Sequence, residues 1–107
     1  MNVPEIDCDG LHSLLEGGCV LIDVREPDEY EEGHIGGARP IPLATVPDSL
    51  DAIPRDTTVY VVCAAGGRSA RAVEFLRAQG FDAVNVAGGT QGWEATGRPV
   101  VRGTAIS

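Results

Sequence analysis

The sequence predicts an α/β fold built on a parallel sheet, and three observations lead there. Short apolar runs, as in Val20–Asp23, residues 58–62 and Ala83–Val86, alternate with stretches of helical periodicity. Val20–Asp23 is a continuous apolar run rather than one alternating with polar residues, which suits a strand covered on both faces, as parallel strands are. Glycine pairs follow two of the runs, at Gly66-Gly67 and Gly88-Gly89, where a tight turn leads from strand to helix.

Taken in order, residues 3–6 read as a short strand. Asp9 is placed to cap a helix that runs to Glu16, with Leu11, Leu14 and Leu15 at helical spacing and Gly17-Gly18 as its stop. Val20–Asp23 is a buried strand. Pro27 opens a short acidic helix through Glu32, because proline fits a first helical turn, and Gly33, Gly36 and Gly37 break it. Residues 39–43 read as a short strand interrupted by prolines, and residues 46–53 as a turn or short helix. Residues 58–62 (TVYVV) are almost entirely β-branched or aromatic, the strongest strand signal in the chain. From Arg68 to Gln79 the pattern is helical, with Ser69, Ala72, Val73 and Leu76 on one face. Gly80 is a left-handed stop, and Phe81 is placed to pack back on Leu76. Ala83–Val86 is the last strand, with a short helical turn near Trp93 and an irregular tail from Pro99.

The chain has 107 residues, room for one domain over 1–107. It contains no apolar run long enough to span a bilayer and no secretory signal at Met1 to Gly10, so a cytoplasmic protein without membrane contact is expected. Its net charge of −8 argues against a nucleic-acid partner. The charge is uneven: residues 1–58 carry thirteen acids and three arginines, whereas residues 59–107 carry five arginines and three acids. The second half can therefore host an anion although the whole chain repels anions. Three cysteines, Cys8, Cys19 and Cys63, form no CxxC pair, which speaks against a disulfide framework and against a zinc site.

In open α/β folds ligands sit beyond the C-terminal ends of the strands. Three segments end strands here: Asp23-Val24-Arg25, the segment Cys63-Ala64-Ala65-Gly66-Gly67-Arg68, and Ala87-Gly88-Gly89. The second carries the chemistry. Gly66 and Gly67 let the backbone curl and turn its N–H groups inward, and the following helix adds free donors and a partial positive charge. Such a cradle holds an anion, including the anionic form of Cys63, and lowers a thiol's pKa from about 8.5. Arg68 lies in the first helical turn, where cations are unfavourable unless an anion is near, so it is assigned to the site, with Asp23 as one candidate partner. Arg71 is expected to pair outward with Glu74, and Cys19 to be a small buried hydrophobe. His12 and His34 are read as structural, and the acids of residues 26–32 as a solvated face.

With these residues in place, the chain resembles a rhodanese domain from about Val3 to Val100. The resemblance rests on Leu21-Ile22-Asp23-Val24-Arg25 with Glu26; Tyr30 followed by Gly33-His34-Ile35 and Gly37-Ala38; Ile41-Pro42-Leu43; Val61-Val62-Cys63 with Gly66, Arg68 and Ser69; and Gly88-Gly89, Trp93 and Gly97. It implies a central parallel sheet of about five strands flanked by helices on both faces. It further implies a sulfurtransferase in which Cys63 is the nucleophile and the loop of Ala64, Ala65, Gly66, Gly67 and Arg68 wraps its sulfur. Sulfane sulfur would pass from a donor such as thiosulfate, through a persulfide, to cyanide, a thiol or a protein acceptor, with no metal or organic cofactor. Asp23 and Arg25 match residues that in this family help hold the loop.

Thiosulfate-preferring members often carry a basic side chain inside the loop, where this chain has Ala64 and Ala65. The phosphatases and arsenate reductases that share the fold carry a loop one residue longer than the four residues between Cys63 and Arg68 here, which ranks those activities lower. A non-enzymatic sulfur relay or regulatory docking module is the alternative function.

Overall fold

A computed structural model describes residues 3–107. Among these residues five strands form one sheet: β1 (Glu5–Ile6), β2 (Val20–Asp23), β3 (Arg39–Pro40), β4 (Val59–Val62) and β5 (Ala83–Val86). Every pairing is parallel and the order is β1-β5-β4-β2-β3. Four α-helices, α1 (Cys8–Glu16), α2 (Pro27–Glu32), α3 (Gly67–Ala78) and α4 (Gly89–Ala95), connect or follow the strands. Two 3-10 segments, Leu43–Asp48 and Leu50–Ala52, occupy the connection from β3 to β4. None of the helices is long and apolar enough to cross a membrane, among the described residues.

The expected α/β architecture, a parallel sheet with helices on both faces, is what the chain forms. The strands β2 and β4 sit at the centre and are buried because both faces are covered. Alternation sorts their side chains. Ile22, Val59, Val61 and Ala83 join Ala72, Val73 and Leu76 of α3 and Val46 of the 3-10 segment in one core. Leu21, Val62 and Val86 point the other way and meet Leu11 of α1, Tyr30 of α2 and Trp93 of α4 in a second core. The apolar face read for α3 is the buried one: Ser69, Ala72, Val73 and Leu76. Gly80 adopts φ +92, and the Phe81 N–H donates to the Leu76 carbonyl at 3.0 Å, closing the helix as the sequence predicts.

Several boundaries differ from the sequence reading. Asp7, not Asp9, caps α1: its side chain accepts the Gly10 N–H at 2.8 Å, while Asp9 lies in the first turn. Both aspartates stand before the same apolar spacing, and the one whose side chain reaches the N–H three residues ahead wins. The first strand keeps only two of its four predicted residues, Glu5 and Ile6, which lie in register with Asn85 and Val86, while the Pro4 carbonyl accepts the Asn85 N–H at 2.8 Å. The third is regular only over Arg39–Pro40; beyond it the Ile41 and Leu43 N–H groups still bond the Asp23 and Val24 carbonyls at 2.9 Å as the chain enters the 3-10 segment.

The segment from Pro99 onward carries a single bridge, His34 with Val101, and is otherwise irregular. It is nonetheless tied down along its length. Trp93 Nε1 donates to the Pro99 carbonyl at 2.9 Å, and the Gly103 and Gly37 N–H groups bond the Glu31 and Ile106 carbonyls. His34 is fully buried, stacked on Tyr30 at 3.6 Å, with Nδ1 2.8 Å from the Tyr30 carbonyl and Nε2 2.7 Å from the Ala105 carbonyl. That is the structural role expected of it.

Candidate active site

The parallel sheet brings the ends of β2, β4 and β5 to one edge. Cys63 follows the last residue of β4 and is 1% exposed. The chain then turns through Ala64, Ala65 and Gly66 into α3, with Gly66 as its N-cap at φ +112, a conformation that side-chain-bearing residues rarely adopt.

The turn closes on the sulfur. The Gly66 N–H donates to Cys63 Sγ at 3.1 Å, and Ser69 Oγ lies 3.2 Å away. Burial alone would push this thiol up. The Ser69 hydroxyl and the N–H groups of Ser69, Gly66 and Ala65 outweigh burial and hold it below the ordinary thiol value. The other two thiols behave oppositely. Burial pushes Cys8 and Cys19 up, and neither is ringed by donors.

The first turn of α4 fixes the direction of the donors. The Thr90 N–H donates to the Cys63 carbonyl at 2.8 Å, and the Gln91 N–H to the Ala64 carbonyl at 2.9 Å. A trans peptide points its N–H opposite its carbonyl. Tying the Ala64 carbonyl outward therefore aims the Ala65 N–H at the sulfur. This contact needs Gly89: at φ +60, a Cβ there would lie 2.4 Å from the Ala64 carbonyl oxygen and 2.6 Å from that of Cys63.

Arg68 stands at the first turn of α3, as predicted, but its partner is not Asp23. Its guanidinium forks onto Glu29 of α2, Nη1 to Oε1 at 2.7 Å and Nη2 to Oε2 at 2.9 Å. The paired guanidinium holds the Glu29 carboxyl at about 2, well below its usual value. Glu29 also accepts the Glu26 N–H at 3.0 Å, so one carboxylate caps α2 and grips the loop's arginine. Reading residues 26–32 as a solvated face misses this. The signal available was the match of Glu26 and Glu29 to the capping-box spacing, which would have fixed where Glu29 points.

Asp23 is instead bonded to Arg25. Nε and Nη2 of Arg25 reach its two oxygens at 2.9–3.2 Å, and the Arg25 backbone N–H adds a bond at 3.0 Å. Arg25 Nη2 also donates to the Gly33 carbonyl at 2.8 Å. This buried pair thus braces the C-terminal end of α2, the helix that carries Glu29, rather than bonding the Cys63 turn itself. Arg71 is exposed, and no ion pair joins it to Glu74 among the described residues, so the expected outward pair does not form. Asn85, unremarked in the sequence, is buried beside the site and bonds Ser69 and Gly66.

A buried, donor-ringed cysteine at the edge of a parallel sheet defines a class of cysteine-centred α/β proteins, and the comparisons place this chain within it. The rhodanese-like domain model matches residues 7–96, and the chain belongs to that family. A sulfurtransferase of Allochromatium vinosum is 35% identical over 102 residues, covering 92% of this chain and 95% of that protein. The thiosulfate sulfurtransferase GlpE of Pseudomonas putida is 39% identical over 80 residues, covering 74% and 73%. A crystal structure of a rhodanese-related protein from Thermoplasma volcanium superposes with a TM-score of 0.86 at 38% identity, covering 92% of this chain and 97% of that one.

Proposed function

We propose that this chain is a sulfurtransferase that carries sulfane sulfur as a persulfide on Cys63. One observation carries the reading: a nearly inaccessible sulfur with its pKa lowered by the Ser69 hydroxyl and inward N–H groups, on a turn built for one small anion. The relatives named sulfurtransferase support it.

The thiolate of Cys63 attacks the outer sulfur of a donor such as thiosulfate. A new S–S bond forms, the donor's S–S bond breaks, and sulfite leaves with the electron pair. The persulfide rests among the N–H groups of Ala65, Gly66 and Ser69. A thiol, cyanide or protein acceptor then attacks the outer sulfur, and Cys63 departs as thiolate. Oriented donors do the work, since sulfur transfer in this sequence needs no acid or base on the reacting atoms. Ala64 and Ala65 supply no charge to the cradle, and Arg68 is neutralised by Glu29, so sulfur donors of low charge suit the site at least as well as thiosulfate. Asp23 and Arg25 act at one remove, by fixing α2, whose Glu29 grips Arg68.

The test is a donor panel, comprising thiosulfate, a low-molecular-weight persulfide and a protein persulfide, scored by intact mass. One added sulfur, located on Cys63 by peptide mapping, is the expected result. A chain that gains no sulfur from any of the three removes the proposal.

A further inference from the structure

Asn85 lies in the middle of the Cys63 surroundings and is 1% exposed, an amide in a strand otherwise made of alanine and valine. Its Nδ2 donates to the Gly66 carbonyl at 3.2 Å and to Glu5 Oε2 at 3.0 Å. Both partners only accept, so the amide has one orientation, with both N–H bonds used. Its Oδ1 faces Ser69 Oγ at 2.5 Å and can only accept. Ser69 is fully buried and owns a single O–H, yet its oxygen also lies 3.2 Å from Cys63 Sγ.

We propose that Asn85 is a positioning residue that competes with the Cys63 sulfur for the one proton of Ser69. The inference rests on Cys63 being the working sulfur. Two proton arrangements are open to the three side chains. With a neutral thiol, S–H donates to Ser69 Oγ, and Ser69 donates to Asn85. With a thiolate, the Ser69 hydroxyl turns to the sulfur, and Asn85 Oδ1 loses its only donor among the described residues. Ionising Cys63 therefore breaks a buried hydrogen bond at Asn85. The thiol proton goes to solvent, and Ser69 keeps its own proton throughout; only its direction changes.

Persulfide formation reverses the turn. Sγ then has two covalent bonds and no charge of its own, the negative charge having passed to the outer sulfur, so the hydroxyl returns to Asn85. The donor is thus aimed at Sγ only when Cys63 attacks or departs as thiolate, and is held off it when Sγ carries a proton or the second sulfur. The charged groups around this unit are Arg68 from α3, matched by Glu29 from α2, the buried Asp23–Arg25 pair at the end of β2, and Glu5 from β1, which anchors the amide. None of them is replaced in the variants below, and the two Asn85 variants alike release Glu5 from the amide.

The experiment is the pH profile of Cys63 alkylation in Asn85→Leu and Asn85→Ala, which both remove the competing acceptor. The midpoint is expected to fall by about half a unit to one unit, or roughly threefold to tenfold more thiolate at a pH below it. Ser69→Ala raises the midpoint, and adding Asn85→Leu to it produces no further change. A midpoint unchanged or raised in both Asn85 variants makes Asn85 a mere strut of the loop and overturns the proposal. So does a fall that persists without the Ser69 hydroxyl. Should neither Asn85 variant fold, the S–H stretching band of the parent at acid pH decides, assigned by its loss in Cys63→Ser. It is expected below its position in Ser69→Ala, and equal positions overturn the proposal. Mass measurements on the parent run alongside: failure to take up sulfur removes the sulfur-transfer reading, while the alkylation midpoints still decide the role of Asn85.

Discussion

Replacing Glu29 by Gln takes the charge out of the Arg68 clamp and keeps its shape. A glutamine oxygen still accepts the Glu26 N–H, so the cap of α2 survives and the ion pair is isolated. The hydrogen bonds from Arg68 lower the Glu29 carboxyl from 4.5 to about 2, which taken whole corresponds to ~3 kcal/mol. The side chains of Arg68 and Glu29 are 38% and 33% exposed, however, and water screens such a pair, leaving about 1 kcal/mol. For a chain of this size that is about 5 °C in thermal midpoint. The sign with pH follows from a depressed carboxylate. Its contribution is complete above about pH 4.5, declines as pH falls toward about 2, and is roughly half gone near pH 3. Thermal unfolding of the parent and Glu29→Gln between pH 7 and pH 3 reads the difference directly. It should be about 5 °C at neutral pH and shrink on acidification. A difference absent at pH 7, or constant across the range, refutes the assignment of this ion pair as the anchor of the turn.

Three further outcomes are expected. Cys63→Ser abolishes sulfur transfer, whereas Cys8→Ser and Cys19→Ser retain it, measured as thiosulfate-to-cyanide turnover; only Cys63 is ringed by donors. Arg68→Lys keeps the charge but cannot fork onto both oxygens of Glu29, so turnover drops about tenfold or more while the thermal midpoint moves by only a few degrees, about the shift expected for Glu29→Gln; parental turnover would show that charge alone suffices. Gly89→Ala drives a methyl into the Cys63 and Ala64 carbonyls at positive φ, costing about 2 kcal/mol or more and lowering sulfur uptake, which thermal unfolding and intact mass report together.

Much of this architecture is legible in the residues because it is local. Val20–Asp23 and Ala83–Val86 are strands to the residue, since short, mostly apolar runs mark strands buried on both sides. Ser69, Ala72, Val73 and Leu76 are spaced for one helical face and are buried on it. The Cys63 turn is visible because two glycines and a helix start follow it. What escapes a linear reading are the partners supplied from afar. Glu29 lies 39 residues before Arg68, and an acidic helix is by default a solvated one. Asp23 stands nearer the site by topology, but a closer fork, two residues away on Arg25, takes it. Asn85 leaves only one clue: an amide, depleted in strands, within an apolar run. Its meaning depends on Ser69, Gly66 and Glu5 arriving together from three elements.

The backbone bonds from Thr90 and Gln91 to the carbonyls of Cys63 and Ala64 separate two properties of the cradle that are usually entangled. Peptide orientation is dictated from outside by main-chain atoms of α4, so it does not depend on what Ala64 and Ala65 carry. Ala64 is half-buried and Ala65 exposed, and both methyl groups are free of hydrogen-bonding duty. The two positions are therefore a blank face on a finished socket. Lysine or arginine introduced there should recruit dianionic donors, and apolar side chains should recruit bulkier ones. In neither case would the ring of N–H groups around Cys63 have to be rebuilt.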